Sequence, residues 1–311
     1  MNVWELGSVL SKSMIYIGML SAIGGGFILV SSRQQPVWVQ MIARRALNPA
    51  LLLGLLGTCL FFLVQIGSVN QRGLSGVFDP LIGSILMETE LGSALRWRLG
   101  GFMLALLCLI PINLPGFPLQ HRGVQGFCMA LAVLAAACFM VSVAVQGHSS
   151  ALSVLAQVLV GLHLLAIASW AGALFPLYLL VSNSVAVADD RGAMADLLRQ
   201  FGMAGWLMLA VMLMSGLSLF WLLTGGFGSL FTTLYGQLFL VKVAVVAVMM
   251  GLGALHKFRW VPRVRDVLDL APDDASALQM LARSIRLETL LAVLVLLLTA
   301  SMTSITGPYS G

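Results

Sequence analysis

Long apolar runs alternate with short polar connectors along the chain, eight times over. A bilayer core about 30 Å thick takes roughly 20 apolar residues to cross as a helix. Runs of that length predict spans near 9–30, 50–68, 92–112, 125–145, 152–180, 203–224, 233–255 and 286–306. Charges and helix breakers fall between them, at Arg44–Arg45, Pro115–Gly116, Asp189–Asp190–Arg191 and from Pro262 through Asp274. No connector has the length of a separate soluble domain. The longest, about 256–285, has room for one short amphipathic helix. The pattern predicts an all-α polytopic membrane protein with eight transmembrane helices.

Composition agrees. Of 311 residues, 59% are hydrophobic and 9% charged, against about 25% charged in a soluble domain. A soluble enzyme, a nucleic-acid binder and a disordered scaffold are all excluded, because none can present a water-soluble surface with so little charge. The net charge of +5 matters through its placement. Taking the connectors after spans 1, 3, 5 and 7 as cytoplasmic gathers twelve basic residues there: Arg33, Arg44, Arg45, Arg122, Arg191, Arg199, Lys257, Arg259, Arg263, Arg265, Arg283 and Arg286. Three remain on the other side, Arg72, Arg96 and Arg98. The positive-inside rule then places both termini outside the cytoplasm, which is the periplasmic side if the membrane is a bacterial inner membrane. The first span starts beside Glu5 rather than a basic cluster, and no small-x-small site precedes Ser31–Ser32–Arg33; it reads as a retained helix rather than a cleaved signal. Cys59, Cys108, Cys128 and Cys138 all lie in apolar runs, so no disulfide framework is expected.

Thr89, Gly92 and Arg98 recur as Thr233, Gly236 and Lys242 at an offset of 144, and Gly24 and Phe27 match Gly172 and Phe175 at an offset of 148. A four-helix offset preserves orientation, so this reads as a parallel 4+4 repeat with halves 1–148 and 149–311 and a functional site where they meet.

Polar groups in a bilayer are costly, roughly 2.5–3.5 kcal/mol for a central charge on insertion scales, so the few present are the candidates for function. His163 lies about eleven residues into the fifth span, roughly 16 Å deep, in the apolar stretch from Val158 to Ala168. A neutral histidine bonding a neighbouring carbonyl and a ligand to metal or haem both fit. His148 ends the fourth span, while His121 and His256 sit beside Arg122 and Lys257 at cytoplasmic ends. Methionine supplies soft thioether ligands that favour Cu(I), and ordinary packing as well. Met14, Met19, Met87, Met140 and Met302 fall toward the outer side, Met208, Met212 and Met214 deeper. Met87–Glu88–Thr89–Glu90 is either an outer collection point for cations or a solvated helix top paired with Arg96 or Arg98. Lys242 and Glu288, with Arg98, are buried charges suited to ion pairing or gating. No phosphate loop, His-Glu-x-x-His or Gly-x-Ser-x-Gly elbow is present, so neither a nucleotide, a nucleic acid nor a catalytic centre is expected. Gly24–Gly25–Gly26 fits close helix packing.

Leu162–His163–Leu164–Leu165–Ala166 followed by Trp170–Ala171–Gly172 resembles a helix of the CopD (PcoD-like) copper-resistance membrane proteins, with Gly147–His148 similar to the end of the helix before it. Tyr235–Gly236–Gln237 with Lys242, then Gly251 through Arg263, resembles the family's C-terminal domain. Arg286–Leu287–Glu288 and the run from Thr299 to Pro308 look like its last helix, and Thr89, Gly92 and Arg98 fit the N-terminal half. His256 departs from the expected Asn-like residue and adds a candidate cytoplasmic ligand. The resemblance implies copper handling in the bacterial inner membrane, from periplasm towards cytoplasm, often beside a periplasmic CopC-like copper carrier. The expected cargo is Cu(I) or Cu(II), received near His148, Met140, Met14 and Met302 and passed by His163 between the halves. Two other readings stay open. One is a b-type haem electron carrier or cupric reductase, opposed by a depth difference of about 16 Å between His148 and His163. The other is a docking partner for a periplasmic copper chaperone without transport.

Overall fold

The computed structural model describes residues 2–31, 37–113, 122–146, 153–186, 191–226, 228–262 and 276–305, and among these no strand occurs. In chain order the α-helices are α1 (Val3–Ser31), α2 (Val37–Asn70), α3 (Pro80–Met87), α4 (Glu90–Asn113), α5 (Arg122–Ala144), α6 (Val154–Ala186), α7 (Arg191–Thr224), α8 (Ser229–Thr232), α9 (Leu234–Leu255) and α10 (Ser276–Ile305). All but α3 and α8 are long and apolar enough to cross a membrane. The chain is an eight-span, all-α membrane protein.

Each predicted span lies on one of these helices to within two residues, yet several helices run well beyond the apolar run. At 34 residues, α2 and α7 would each be about 51 Å long, far more than a hydrocarbon core. Once nucleated, a helix adds one backbone hydrogen bond for each further non-proline residue, polar or apolar, so apolarity marks the lipid-embedded part and not the helix ends. The short elements are capped locally. Asp79 accepts from the amides of Leu81 and Ile82 at 3.0 and 3.2 Å with Pro80 in the first turn of α3, and Thr233 accepts from Gly236 N at 3.0 Å to start α9, both standard N-cap devices.

The centre of the bundle is the crossing of α1 and α6. Lipid offers no hydrophobic drive for helices to associate, so close packing has to hold them, and small residues provide it. A Cβ added to Gly24 would lie 2.3 Å from the Gly172 carbonyl carbon, and one added to Gly172 would lie 1.9 Å from Leu20 O. The Gly24–Gly26 run divides its faces: Gly24 meets α6, Gly25 receives Leu47 of α2, and Gly26 borders open space. In the α4–α5 pair, Phe102 and Phe139 meet edge to face at 4.8 Å. Cys108 Sγ lies 3.3 Å from Cys128 O and Cys128 Sγ 3.6 Å from Cys108 O, both thiols free.

The least enclosed span is α9, which packs along α10. It touches α7 through Phe220, whose ring lies 6.4 Å from Tyr235 and 4.3 Å from Phe239. Further along, the helices part and leave a chamber of about 300 Å³ between α6, α7, α9 and α10. The chamber lies toward the end of the bundle carrying Arg44, Arg45, Arg199, Lys257 and Arg283, called the basic end below. The opposite end carries α3.

Candidate functional site

His163 lies nine residues into α6, about 13.5 Å along it. Its ring faces α7, with Nδ1 3.0 Å from Met212 O and 3.1 Å from Ser215 Oγ. A carbonyl only accepts, so Nδ1 carries the proton and donates to it. That leaves Nε2 with its lone pair and, among the described residues, no hydrogen-bond partner. Ser215 is held by its own bonds to Val211 O and Met212 O. Gly216 gives the ring its place, since a Cβ there would lie 2.9 Å from His163 Cε1. The ring is thus oriented by one nitrogen and presents the other, the arrangement second-shell bonds create around a metal-ligating imidazole.

Trp170, Leu174 and Leu177 stand 7, 11 and 14 positions after His163, which at 3.6 residues per turn is the same face of α6. All three line the chamber at the basic end. Beside Trp170 and Leu174 lies a core cluster containing Met212 of α7 and Met249 of α9, with Met208 and Met250 packed against it. Four methionines of α7 and α9 therefore gather about Trp170 and Leu174. Of the deep methionines expected from the sequence, Met208 and Met212 lie here, whereas Met214 is 72% exposed. Met249 and Met250 join them without a sequence signal of their own, because methionine abundance does not say which face of α9 turns inward.

Within the chamber wall, Glu288 of α10 is 1% exposed. Its Oε2 lies 3.4 Å from His256 Nδ1, in the π-helical turn His256–Trp260 that extends α9. His256 Nε2 lies 2.7 Å from Ser284 Oγ. Lys257 donates to Gly202 O at 3.3 Å and sits 5.0 Å from the Trp206 ring centroid.

The other predicted residues are distributed as follows. His148 lies outside the described residues. Met14 packs on Gly57 of α2 and Met140 on Gly161 of α6. Gly161 and His163 are two positions apart, about 200° around the helix, so Met140 and His163 address opposite sides of α6. Met302 is buried on α10. Near the α3 end, Arg98 donates to Gln146 Oε1 and its guanidinium lies 6.0 Å from the Phe61 ring. Lys12 approaches the same ring at 5.4 Å and donates to Thr303 O at 2.7 Å. Glu88 and Glu90 are exposed and Met87 half-buried, and Arg96 bonds Met87 O at 3.0 Å. Lys242 lies within electrostatic range of His163, whereas Glu288 faces His256 instead. The structure thus brings Lys242 to His163 but does not gather Met14, Met140 and His163. Among the described residues no three His, Cys, Asp or Glu side chains form a metal-binding group, so a metal here would rely on the imidazoles, single carboxylates and thioethers above. His163 also turns into the second half of the chain and not to the seam between the halves.

Comparison with known proteins assigns the chain. Residues 3–158 match the family described as "Copper resistance protein D-like, N-terminal domain", and residues 195–302 match "Copper resistance protein D". A relative, "Inner membrane protein YebZ" of Escherichia coli (strain K12), is 27% identical over 255 residues, covering 79% of this chain and 82% of that protein. No solved structure matches. Two family matches spanning both halves, on a bundle of eight membrane-crossing helices, make this chain a multi-pass inner-membrane protein of the CopD copper-resistance family.

Proposed function

We propose that the chain binds copper and carries it across the inner membrane, from the periplasmic face at the α3 end to the cytoplasmic face at the basic end. The observation that carries this reading is that the bare Nε2 of His163 stands on the face of α6 whose Trp170 and Leu174 line the chamber, with Met212, Met208, Met249 and Met250 of the facing helices clustered about those two residues. Imidazole binds both copper states and thioether favours Cu(I), so both kinds of donor suit copper. The positive-inside rule orients the bundle; the inward direction is what the family resemblance implies, and an inside-negative potential favours it by about 2.3 kcal/mol per positive charge per 100 mV. Inward movement then needs no nucleotide. A CopC-like periplasmic carrier is the proposed donor at the α3 end, where Glu88 and Glu90 stand exposed.

The test is copper uptake into proteoliposomes with an imposed inside-negative potential. Wild type is expected to accumulate copper, with His163→Ala slowing uptake at least tenfold. His163→Gln, which can still bond α7 but offers no imidazole, is expected to be equally slow. Uptake unchanged in both variants would overturn the reading. A visible spectrum of the purified protein is expected to show no Soret band; an intense band lost in His163→Ala would favour a haem electron carrier instead.

A further inference from the structure

We propose that His256 and Glu288 form a transition-metal cation site in the chamber at the basic end. It rests on the translocation reading for the identity of the metal, and would be the station from which copper leaves. Glu288 is 1% exposed and its Oε1 has no hydrogen-bond partner among the described residues. A buried carboxylate oxygen left bare is costly, and Glu288 is one of the residues that line a chamber of about 300 Å³. Water takes about 30 Å³ per molecule in the liquid, so there is room for a cation and the waters that would complete its coordination.

The two side chains stand as ligands would. Glu288 Oε2 and His256 Nδ1 are 3.4 Å apart, longer than a good charge-assisted hydrogen bond. Two donors on a tetrahedral ion with bonds of about 2.0–2.2 Å lie about 3.3–3.6 Å apart. His256 Nε2 is engaged by Ser284 Oγ at 2.7 Å, which fixes the ring and aims Nδ1 at the carboxylate, the usual service of an outer-shell bond. The neighbouring cation does not compete: Lys257 is drawn to Gly202 O and the face of Trp206.

The chamber is also larger than helix packing requires. Gly202, Gly205 and Gly251 line it, and a Cβ added to any of them would meet nothing within 4 Å. On Gly253 the nearest atom would be Glu288 Oε1 itself, at 3.8 Å. Imidazole with carboxylate suits divalent first-row cations, copper most tightly. For Cu(I), exchanging thioethers for a carboxylate weakens the hold, as a release station requires.

The experiment uses the full chain in lipid nanodiscs, stripped of metal and titrated with Cu(II), with electron paramagnetic resonance reporting nitrogen and oxygen donors. Wild type and His163→Ala are expected to share a signal with one imidazole nitrogen. Glu288→Gln and His256→Asn are expected to lose it, with affinity falling at least tenfold. Should either fail to fold, Gly205→Leu fills the chamber without touching a ligand and is expected to weaken the same signal. Wild-type signal and affinity in the folded variants would overturn the site. Absent copper uptake alongside intact binding at Glu288 overturns the translocation reading and upholds this one.

Discussion

Gly172→Ala tests the pin at the centre of the bundle. The new methyl carbon would lie 1.9 Å from Leu20 O, 2.5 Å from Leu20 C and 3.3 Å from Leu20 Cα. All three are main-chain atoms of α1, so no side chain can swing away. Restoring contact distance requires α1 to retreat from α6 by about 1.5 Å, since a comfortable carbon–oxygen contact is about 3.4 Å. Overpacking typically costs about 1–3 kcal/mol, and a rigid backbone on both sides places this case at the top, about 3 kcal/mol. Alanine regains about 0.5–1 kcal/mol of helix preference over glycine. The net expectation is about 2 kcal/mol of destabilisation, roughly a thirtyfold shift in the folded-to-unfolded ratio. Gly100→Ala is the control, because a Cβ there meets nothing within 4 Å and only the helix gain applies. The assay is reversible unfolding in bicelles, with copper uptake alongside, since His163 rides on the same helix nine residues away. If Gly172→Ala is as stable as Gly100→Ala, the α1–α6 crossing is not what holds the bundle, and the packing argument fails.

Other consequences are open to direct measurement. Outside the spans, the Asp79 carboxyl is held below the ordinary carboxylate range by the Ile82 amide, then by the Leu81 amide and the Asn70 side chain. Its folded pKa is the lower one, so the cap's contribution is present above the ordinary carboxylate value and is lost as pH falls through the folded value. Amide protection of residues 81–86 should therefore collapse in acid, and Asp79→Ala should remove the pH dependence; a flat wild-type profile would contradict this. Phe220→Ala removes the aromatic contact joining α7 to α9. Large-to-small core changes of phenylalanine cost about 3–5 kcal/mol in soluble proteins, and the low end is expected because lipid can replace part of the contact. Hydrogen exchange should quicken along α9 while α4 is unaffected; equal protection in both helices would show that α10 alone holds α9.

The spans could be read from sequence because lipid demands about twenty apolar residues whatever the fold. Helix ends could not, because α2 and α10 begin ten or more residues before their apolar runs and polar residues sustain a helix equally well. His163 was conspicuous as an imidazole in an apolar stretch, but half of its support is the Met212 carbonyl, a main-chain atom with no sequence signature. Met140 and His163 address opposite sides of α6 for a geometric reason: residues on different helices share a site only if their faces agree, and Gly161, not His163, faces Met140. Glu288 was recognisable as a costly buried charge. Its partner His256 lies 32 positions away on another element, and a pairing at that range depends on how α9 leans on α10. A descent between the halves was the natural expectation from a repeat, yet the chamber arises inside the second half, where α9 parts from α7.

Charge placement poses the sharpest test of a cation path. Lys12, Arg98 and Lys242 lie in the half of the bundle nearer α3, each eight or nine residues from its helix start, while Glu288 lies toward the basic end. A copper ion at His163 Nε2 would meet Lys242 within electrostatic range. Even at about 10 Å, two unit charges in an effective dielectric of about 20 repel by about 1.7 kcal/mol, worth at least tenfold in binding. On the proposed translocation reading, such repulsion would make His163 a site that is entered and left, since an ion bound too tightly is not carried. Lys242→Met removes the charge and keeps an unbranched side chain of similar length. The expected result is copper bound at least tenfold more tightly at His163 but delivered more slowly to the vesicle interior. High salt should leave the difference intact, because a buried pair is little screened. If Lys242→Met instead weakens binding as His163→Ala does, the lysine supports the site's geometry, and repulsion is not what sets the ion free.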